Sequence, residues 1–139
     1  MQFSTQISIN STPEHIWSLL IDLSAWSSWN ATITSTEGSI EIGNKIKIEV
    51  TANPGKAFPV KVTELIEPRS LVFTGGMPLG LFKGVRTFTL TPKGSATEFA
   101  MSEVYSGPLA RMITKSIPDL QPSFDDFAAS LKQRAELSS

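Results

Sequence analysis

Between residues 31 and 106 the chain alternates short strand-like segments with short turn sequences, and this feature limits its fold more than any other. Ile46, Ile48 and Val50 alternate with lysine and glutamate, which is the period of a half-buried strand. Turn sequences rich in proline or glycine stand at residues 53–56, 67–70 and 92–95. Connections this short join antiparallel neighbours, so the sequence predicts a meander of six or seven strands.

A strand and a helix start precede this region. Phe3 to Asn10 alternates apolar and polar residues, which indicates a half-buried strand. The following Ser11–Glu14 segment places a Ser or Thr cap before a proline and a glutamate, a helix start in which Ser11 and Glu14 have capping-box spacing. A second short helix is expected through Trp26 and Trp29, with Trp29 in the core and Trp26 either in the core or in a pocket wall.

The residues from 108 to 139 have the pattern of a long amphipathic helix. Apolar residues recur there at steps of three and four, which is the helical period. Pro118 and Pro122 interrupt the pattern, so the helix is expected to bend or restart between Ile117 and Pro122. Beyond this break, Phe124 is expected to border a cavity and Phe127 to lie in the core.

Composition excludes several classes of function. The length of 139 residues predicts one domain, 1–139, and the net charge of −1 predicts no nucleic-acid partner. The chain has no cysteine and a single histidine, His15, so neither a metal site nor a cofactor is expected. It shows no signal peptide and no apolar run that could span a bilayer, so we expect a cytoplasmic protein without stable membrane insertion.

Two stretches of the sequence resemble a known superfamily. They are Ile9–Trp17 continuing through Asp22 to Trp29-Asn30, and Glu103–Pro108 leading into the last helix. Both are similar to the START-like, or SRPBCC, superfamily with its helix-grip fold. The resemblance implies an α+β fold: a curved antiparallel sheet of six or seven strands, two short helices after the first strand, and a long C-terminal helix packed across the sheet.

The resemblance also narrows the function without deciding it. The leading interpretation is a protein that binds a hydrophobic small molecule (a lipid, polyketide-like or isoprenoid compound) in a cavity between sheet and C-terminal helix. The first alternative is a cofactor-independent enzyme of the polyketide cyclase, aromatase or dehydratase type, for which the sequence offers no unambiguous acid–base residue. The second is a protein-interaction module like the chaperone activators, with an unknown partner.

A charged pair is the most specific candidate in such a cavity. Arg86 lies two residues before Phe88 on one strand, and Glu103 lies four residues after Phe99 on the next. Residues an even number of positions apart point to the same face of a strand, so Arg86 and Glu103 face the side of the two phenylalanines if neither strand bulges. The pair is interpreted either as a structural salt bridge or as a polar anchor for a ligand. The full set of predicted ligand-binding residues is Trp26, Phe58, Val60, Phe73, Arg86, Phe88, Phe99, Met101, Glu103, Tyr105, Met112, Ile113, Ser116, Leu120 and Phe124.

The connection between residues 75 and 82 is unusual because it combines glycine and proline with large apolar residues. Leu79, Leu81 and Phe82 either tuck under the sheet edge or remain exposed as a gate or contact surface. The sequence leaves these two alternatives equal.

Overall fold

The computed structural model describes residues 1–138. Its sheet contains seven strands: β1 (Gln2–Ile9), β2 (Ile33–Glu37), β3 (Lys45–Val50), β4 (Ala57–Ile66), β5 (Ser70–Gly76), β6 (Lys83–Lys93) and β7 (Ala96–Ser106). Its α-helices are α1 (Pro13–Ile21), α2 (Trp26–Trp29), α3 (Ala110–Thr114) and α4 (Gln121–Ser138).

All neighbouring strands are antiparallel, in the order β1-β7-β6-β5-β4-β3-β2. Strands two to seven form the predicted meander, and β1 closes against β7. Two short helices follow β1 and a long helix ends the chain, so the predicted helix-grip architecture is confirmed.

A capping box with Ser11 as the N-cap would start helix α1 at Thr12. The helix begins at Pro13, one residue later. Thr12, with an extended backbone, is the N-cap, and its hydroxyl accepts a hydrogen bond from the His15 amide at 3.2 Å. The capping box at Ser11 and Glu14 is therefore a wrong prediction. Ser11 is buried and its hydroxyl has no hydrogen-bond partner among the described residues. Pro13 stands at the first helical position, where its missing N–H costs nothing.

This assignment predicts opposite effects for two neighbouring substitutions. Thr12→Ala should lower the free energy of unfolding by about 1 kcal/mol, because it removes the cap. Ser11→Ala should be neutral or stabilising, because it removes a buried hydroxyl that has no partner. Urea denaturation of both variants tests the assignment, and a larger loss from Ser11→Ala would contradict it.

The C-terminal helix restarts where the prolines predicted. Helix α3 ends at Thr114 and α4 begins at Gln121, so Pro118 lies in the connection and Pro122 in the first turn. The Asp119 carboxylate accepts a hydrogen bond from the backbone N–H of Gln121 at 3.1 Å, which gives one N–H at the start of the new helix a partner.

Helix α4 covers the outer edge of β1. Gln121 Nε2 donates to the Ser4 carbonyl at 2.7 Å, and Lys132 Nζ donates to the Ser8 carbonyl at 2.8 Å. Just after β1, the backbone N–H of Asn10 donates to the Glu136 carboxylate at 2.8 Å. These side chains bond backbone groups of an edge strand that would otherwise be free to pair with another chain.

Aromatic side chains fill the space between the middle of the sheet and α4. Trp26 is fully buried, its ring centroid lying 5.3 Å from that of Phe127 and 6.1 Å from that of Phe88. The Phe127 ring also stacks on Phe99 with an interplanar angle of 10°. Trp26 therefore belongs to the core, one of the two positions that the sequence left open.

Candidate functional site

A charged pair lies on the concave face of the sheet, the face turned toward α4. Arg86 and Glu103 stand directly opposite each other on β6 and β7, and Arg86 Nη2 lies 3.1 Å from Glu103 Oε2. Their side chains are 17% and 14% exposed, so solvent still reaches them. The predicted contact and its inward orientation are confirmed. Neither strand has a register shift between the two, so the parity holds.

Tyr105 completes a polar cluster with the pair. Its hydroxyl donates to Glu103 Oε2 at 2.6 Å, so this one oxygen receives bonds from both Arg86 and Tyr105. Burial, and secondarily the neighbouring Glu103 carboxylate, raises the pKa of the Tyr105 phenol. The phenol therefore stays protonated at neutral pH and serves as a hydrogen-bond donor.

The Arg86 guanidinium packs against an aromatic ring, and one of its N–H groups has no hydrogen-bond partner among the described residues. Its guanidinium carbon lies 4.9 Å from the centroid of Phe124, a cation–π arrangement. The same ring lies 5.8 Å from Phe3. Arg86 Nε is buried and has no hydrogen-bond partner among the described residues. A buried N–H without a partner is costly, so Arg86 Nε is an unsatisfied donor in this structure.

Two glycines form the floor beside the polar cluster. The register places Tyr105, Gly84 and Gly75 in one row across β7, β6 and β5. A Cβ at Gly84 would lie 3.3 Å from the Tyr105 ring, and a Cβ at Gly75 would lie 3.0 Å from Val60 Cγ1. The glycines thus leave room for Tyr105 on one side and Val60 on the other, and no side chain rises between them. We call this row of the concave face, with Val60 at one end and Tyr105 at the other, the trough.

The predicted site residues fall into three groups. The buried ones, which pack in the core, are Trp26, Phe73, Phe88, Phe99, Met101 and Phe124. The half-buried ones are Phe58, Val60, Arg86, Glu103, Tyr105, Ile113 and Leu120. The exposed ones are Met112 and Ser116.

Met112 and Ser116 require a correction, because they were predicted to line an enclosed cavity. Met112 is 64% exposed, and Ser116 also lies on the surface. The prediction assumed that one apolar stripe continues along the whole C-terminal segment. Because the helix stops at Thr114 and restarts at Gln121, the stripe of α4 does not continue into α3. Of the half-buried group, Val60 and Tyr105 border the trough.

Sequence reasoning missed three residues of this region. Gly75 and Gly84 were not predicted, although correct strand register would have placed Gly84 opposite Tyr105 and Gly75 opposite Gly84. Phe82 was assigned only to the loop, yet its ring stacks on Tyr105 with centroids 5.6 Å apart and an interplanar angle of 14°. Phe82 thus links the loop to the polar cluster.

Two kinds of site are not found in the part of the chain that the structure describes. Residues 1–138 contain no cluster of histidine and carboxylate side chains that could hold a metal ion. None of the helices within that range combines the length and hydrophobicity that a membrane span requires.

A family model described as polyketide cyclase / dehydrase and lipid transport matches residues 1–136. The chain belongs to this family. The match covers both stretches on which the superfamily resemblance depended, and that resemblance is confirmed. No curated protein matches the sequence of this family member.

Solved structures show the same fold at low sequence identity. A protein from Mesorhizobium loti has a TM-score of 0.77 and 19% identity, covering 100% of this chain and 99% of that one. A START superfamily protein from Mycobacterium smegmatis has a TM-score of 0.71 and 17% identity, covering 99% of each chain. The Aha1 dimer from Colwellia psychrerythraea has a TM-score of 0.73 and 20% identity, covering 100% and 98%. For this family member, these likenesses establish the fold alone.

Proposed function

We propose that this family member binds a hydrophobic small molecule that carries an uncharged polar group, a hydroxyl or a carbonyl. The apolar part lies in the trough over Gly75 and Gly84, and the polar group lies at the Arg86–Glu103–Tyr105 cluster. The observation that carries the proposal is the cluster itself, a half-buried group of Arg86, Glu103 and Tyr105 that solvent still reaches, beside the glycine row. The family description, which includes lipid transport, supports the same class of ligand.

The charge balance of the cluster favours an uncharged group over a carboxylate. Glu103 already neutralises Arg86 at 3.1 Å, so a ligand carboxylate would meet a second carboxylate nearby. A hydroxyl or carbonyl oxygen can instead accept from the exposed part of the Arg86 guanidinium without adding charge. The ligand's end group, rather than its chain, should therefore decide its affinity.

Three probes with equal chain lengths test this directly: dodecanol, dodecanoate and dodecane. Titration calorimetry should show that dodecanol binds most tightly, because only its hydroxyl pairs with Arg86 without opposing Glu103. The double variant Arg86→Met with Glu103→Leu should bind dodecane as before and should lose the preference for dodecanol. Equal affinity of the native protein for dodecanol and dodecane would contradict the proposed anchor. Native mass spectrometry of protein purified from its own host would identify the natural ligand class.

A cyclase- or dehydratase-type enzyme is the second candidate, favoured by the presence of both a phenol and a carboxylate at the trough. The shape of the trough would hold a polyketide-like substrate in a bent conformation, and the Tyr105 hydroxyl would donate a hydrogen bond to one of the substrate's carbonyls. Both Arg86 and Tyr105 donate to Glu103 Oε2, so a substrate proton would have to compete with these two hydrogen bonds. Incubation with a triketide thioester tests this candidate: mass spectrometry should show loss of water, and Glu103→Gln should abolish that loss.

A further inference from the structure

The loop that follows β5 presents a leucine to solvent at an energetic cost. Leu79 is 95% exposed, and its backbone has φ 62° and ψ 21°, the left-handed region that non-glycine residues avoid. Met77 and Leu81 on either side are 43% and 37% exposed. Of the two alternatives for this loop, the structure shows the exposed one for Leu79. An apolar side chain held outward by a strained backbone suggests a contact surface.

Beside this loop the outer face of the sheet carries three lysines. A groove of about 500 Å³ is lined by Lys45, Lys61 and Lys83, by neighbouring residues of β4 and β5, and by residues of the loop, and no acidic residue lines it. Lys45 and Lys61 stand directly opposite each other on β3 and β4, and like charges in that position repel. The ion pairs of residues 1–138 involve other basic residues and leave these three lysines without an acidic partner. An external anionic group would relieve the repulsion.

We propose that this groove and loop form a surface that docks reversibly on an anionic lipid bilayer. Leu79 inserts into the boundary between headgroups and acyl chains, and the three lysines contact lipid phosphates around it. The surface is defined here as Lys45, Lys61, Met77, Leu79 and Lys83. The inference goes beyond the proposed ligand and does not depend on it, because none of these residues belongs to the Arg86–Glu103–Tyr105 cluster.

The composition of the surface favours a bilayer over an acidic protein. Protein interfaces are enriched in arginine and aromatic residues and depleted in lysine. The charged residues of this groove are all lysines, whose flexible stems suit a diffuse negative surface rather than one fixed carboxylate. The exposed tip is aliphatic, which fits hydrocarbon without requiring a shaped pocket.

The loop that carries Leu79 also contacts the polar cluster. Phe82, at the end of the loop, stacks on Tyr105, and the Leu109 amide donates to the Leu81 carbonyl at 2.9 Å. The loop is thus attached both to the polar cluster and to the segment leading into α3. A bilayer contacting Leu79 would therefore touch a loop that also contacts the polar cluster through Phe82.

Vesicle flotation tests the docking with the full chain. Vesicles of phosphatidylcholine alone are compared with vesicles of equal parts phosphatidylcholine and phosphatidylglycerol. We expect binding to the anionic vesicles, weak binding to the neutral ones, and release at high salt, since salt screens the lysines. No binding to anionic vesicles at low salt would overturn the proposal, as would equal binding to both vesicle types.

Two variants and two matched controls locate the surface. Leu79→Asn should weaken binding while keeping or raising the melting temperature, because asparagine tolerates the left-handed backbone. Lys61→Gln with Lys83→Gln should weaken it by about fivefold for each lysine removed. The controls are Leu137→Asn and Arg134→Gln at the far end of α4, where Leu137 is 77% exposed, and neither should change binding. Native-like binding by the loop and lysine variants, or an equal loss in the controls, would overturn the assignment of the surface.

Discussion

Replacing Trp26 by alanine should lower the free energy of unfolding by ~3–5 kcal/mol, the range for large aromatic residues in cores. The indole is fully buried among four aromatic rings and lies closest to Phe127. Its Nε1 also donates to the Leu20 carbonyl at 3.1 Å, a bond that alanine cannot make. A loss of this size is a large fraction of the stability of an ordinary domain, so urea denaturation should show it clearly.

Trp29→Ala is the matched control for that measurement. Trp29 carries the same side chain three residues later, but it is only half-buried and packs at the border of the core. Its Nε1 is buried without a partner among residues 1–138, so its removal also relieves an unsatisfied donor. The loss should therefore be clearly smaller than for Trp26→Ala. Equal losses would show that the centre of the core is misplaced.

Arg86→Met should destabilise the protein by about 2–3 kcal/mol, because it leaves Glu103 without its charged partner on the concave face. The loss should be somewhat below that of a fully buried pair, since solvent reaches side chains that are 17% and 14% exposed. Phe124 would keep its packing against the methionine chain, so the effect reports mainly on the charge.

The double variant Arg86→Met with Glu103→Leu separates the pair from its surroundings. It should recover part of the lost stability, because an apolar replacement avoids burying a lone charge. Recovery should be incomplete, since Tyr105 also loses the acceptor of its 2.6 Å hydrogen bond. Chemical denaturation of the two single variants and the double variant forms a complete cycle. Strict additivity would mean that Arg86 and Glu103 do not interact in solution.

The fold could be predicted because its local signals agree with its global order. Alternation marked the strands, Pro13 marked the start of α1, and the two prolines marked the break before α4. Short connections left the antiparallel meander as the simplest arrangement. The capping error at Ser11 arose because two adjacent hydroxyl residues fit the same pattern, and only backbone geometry separates them.

The site could be predicted only where strand parity decides orientation. Parity placed Arg86 and Glu103 on the same face, because a strand without bulges alternates strictly, and pairing about the Lys93-Gly94 turn left Met101 and Glu103 as neighbours of Arg86. It could not predict the orientation of Met112 or Ser116, because that orientation depends on the position of helix α3 relative to β7 and on the course of the chain after α3. Nor could it show that Gly75, Gly84 and Tyr105 share a row, since this requires the register of three strands at once.

The pairing of β1 with β7 sets the order in which this chain can fold during synthesis. Gln2 lies opposite Val104 and Ile9 opposite Thr97, so the first strand waits for nearly 100 residues before its partner leaves the ribosome. Strands β2 to β6 can pair with their neighbours as they emerge, whereas β1 remains a single strand without a ladder. Closing so long a loop costs conformational entropy that only the final sheet and α4 offset. We therefore expect a nascent-chain chaperone to bind the N-terminal strand in preference to strands β2 to β6.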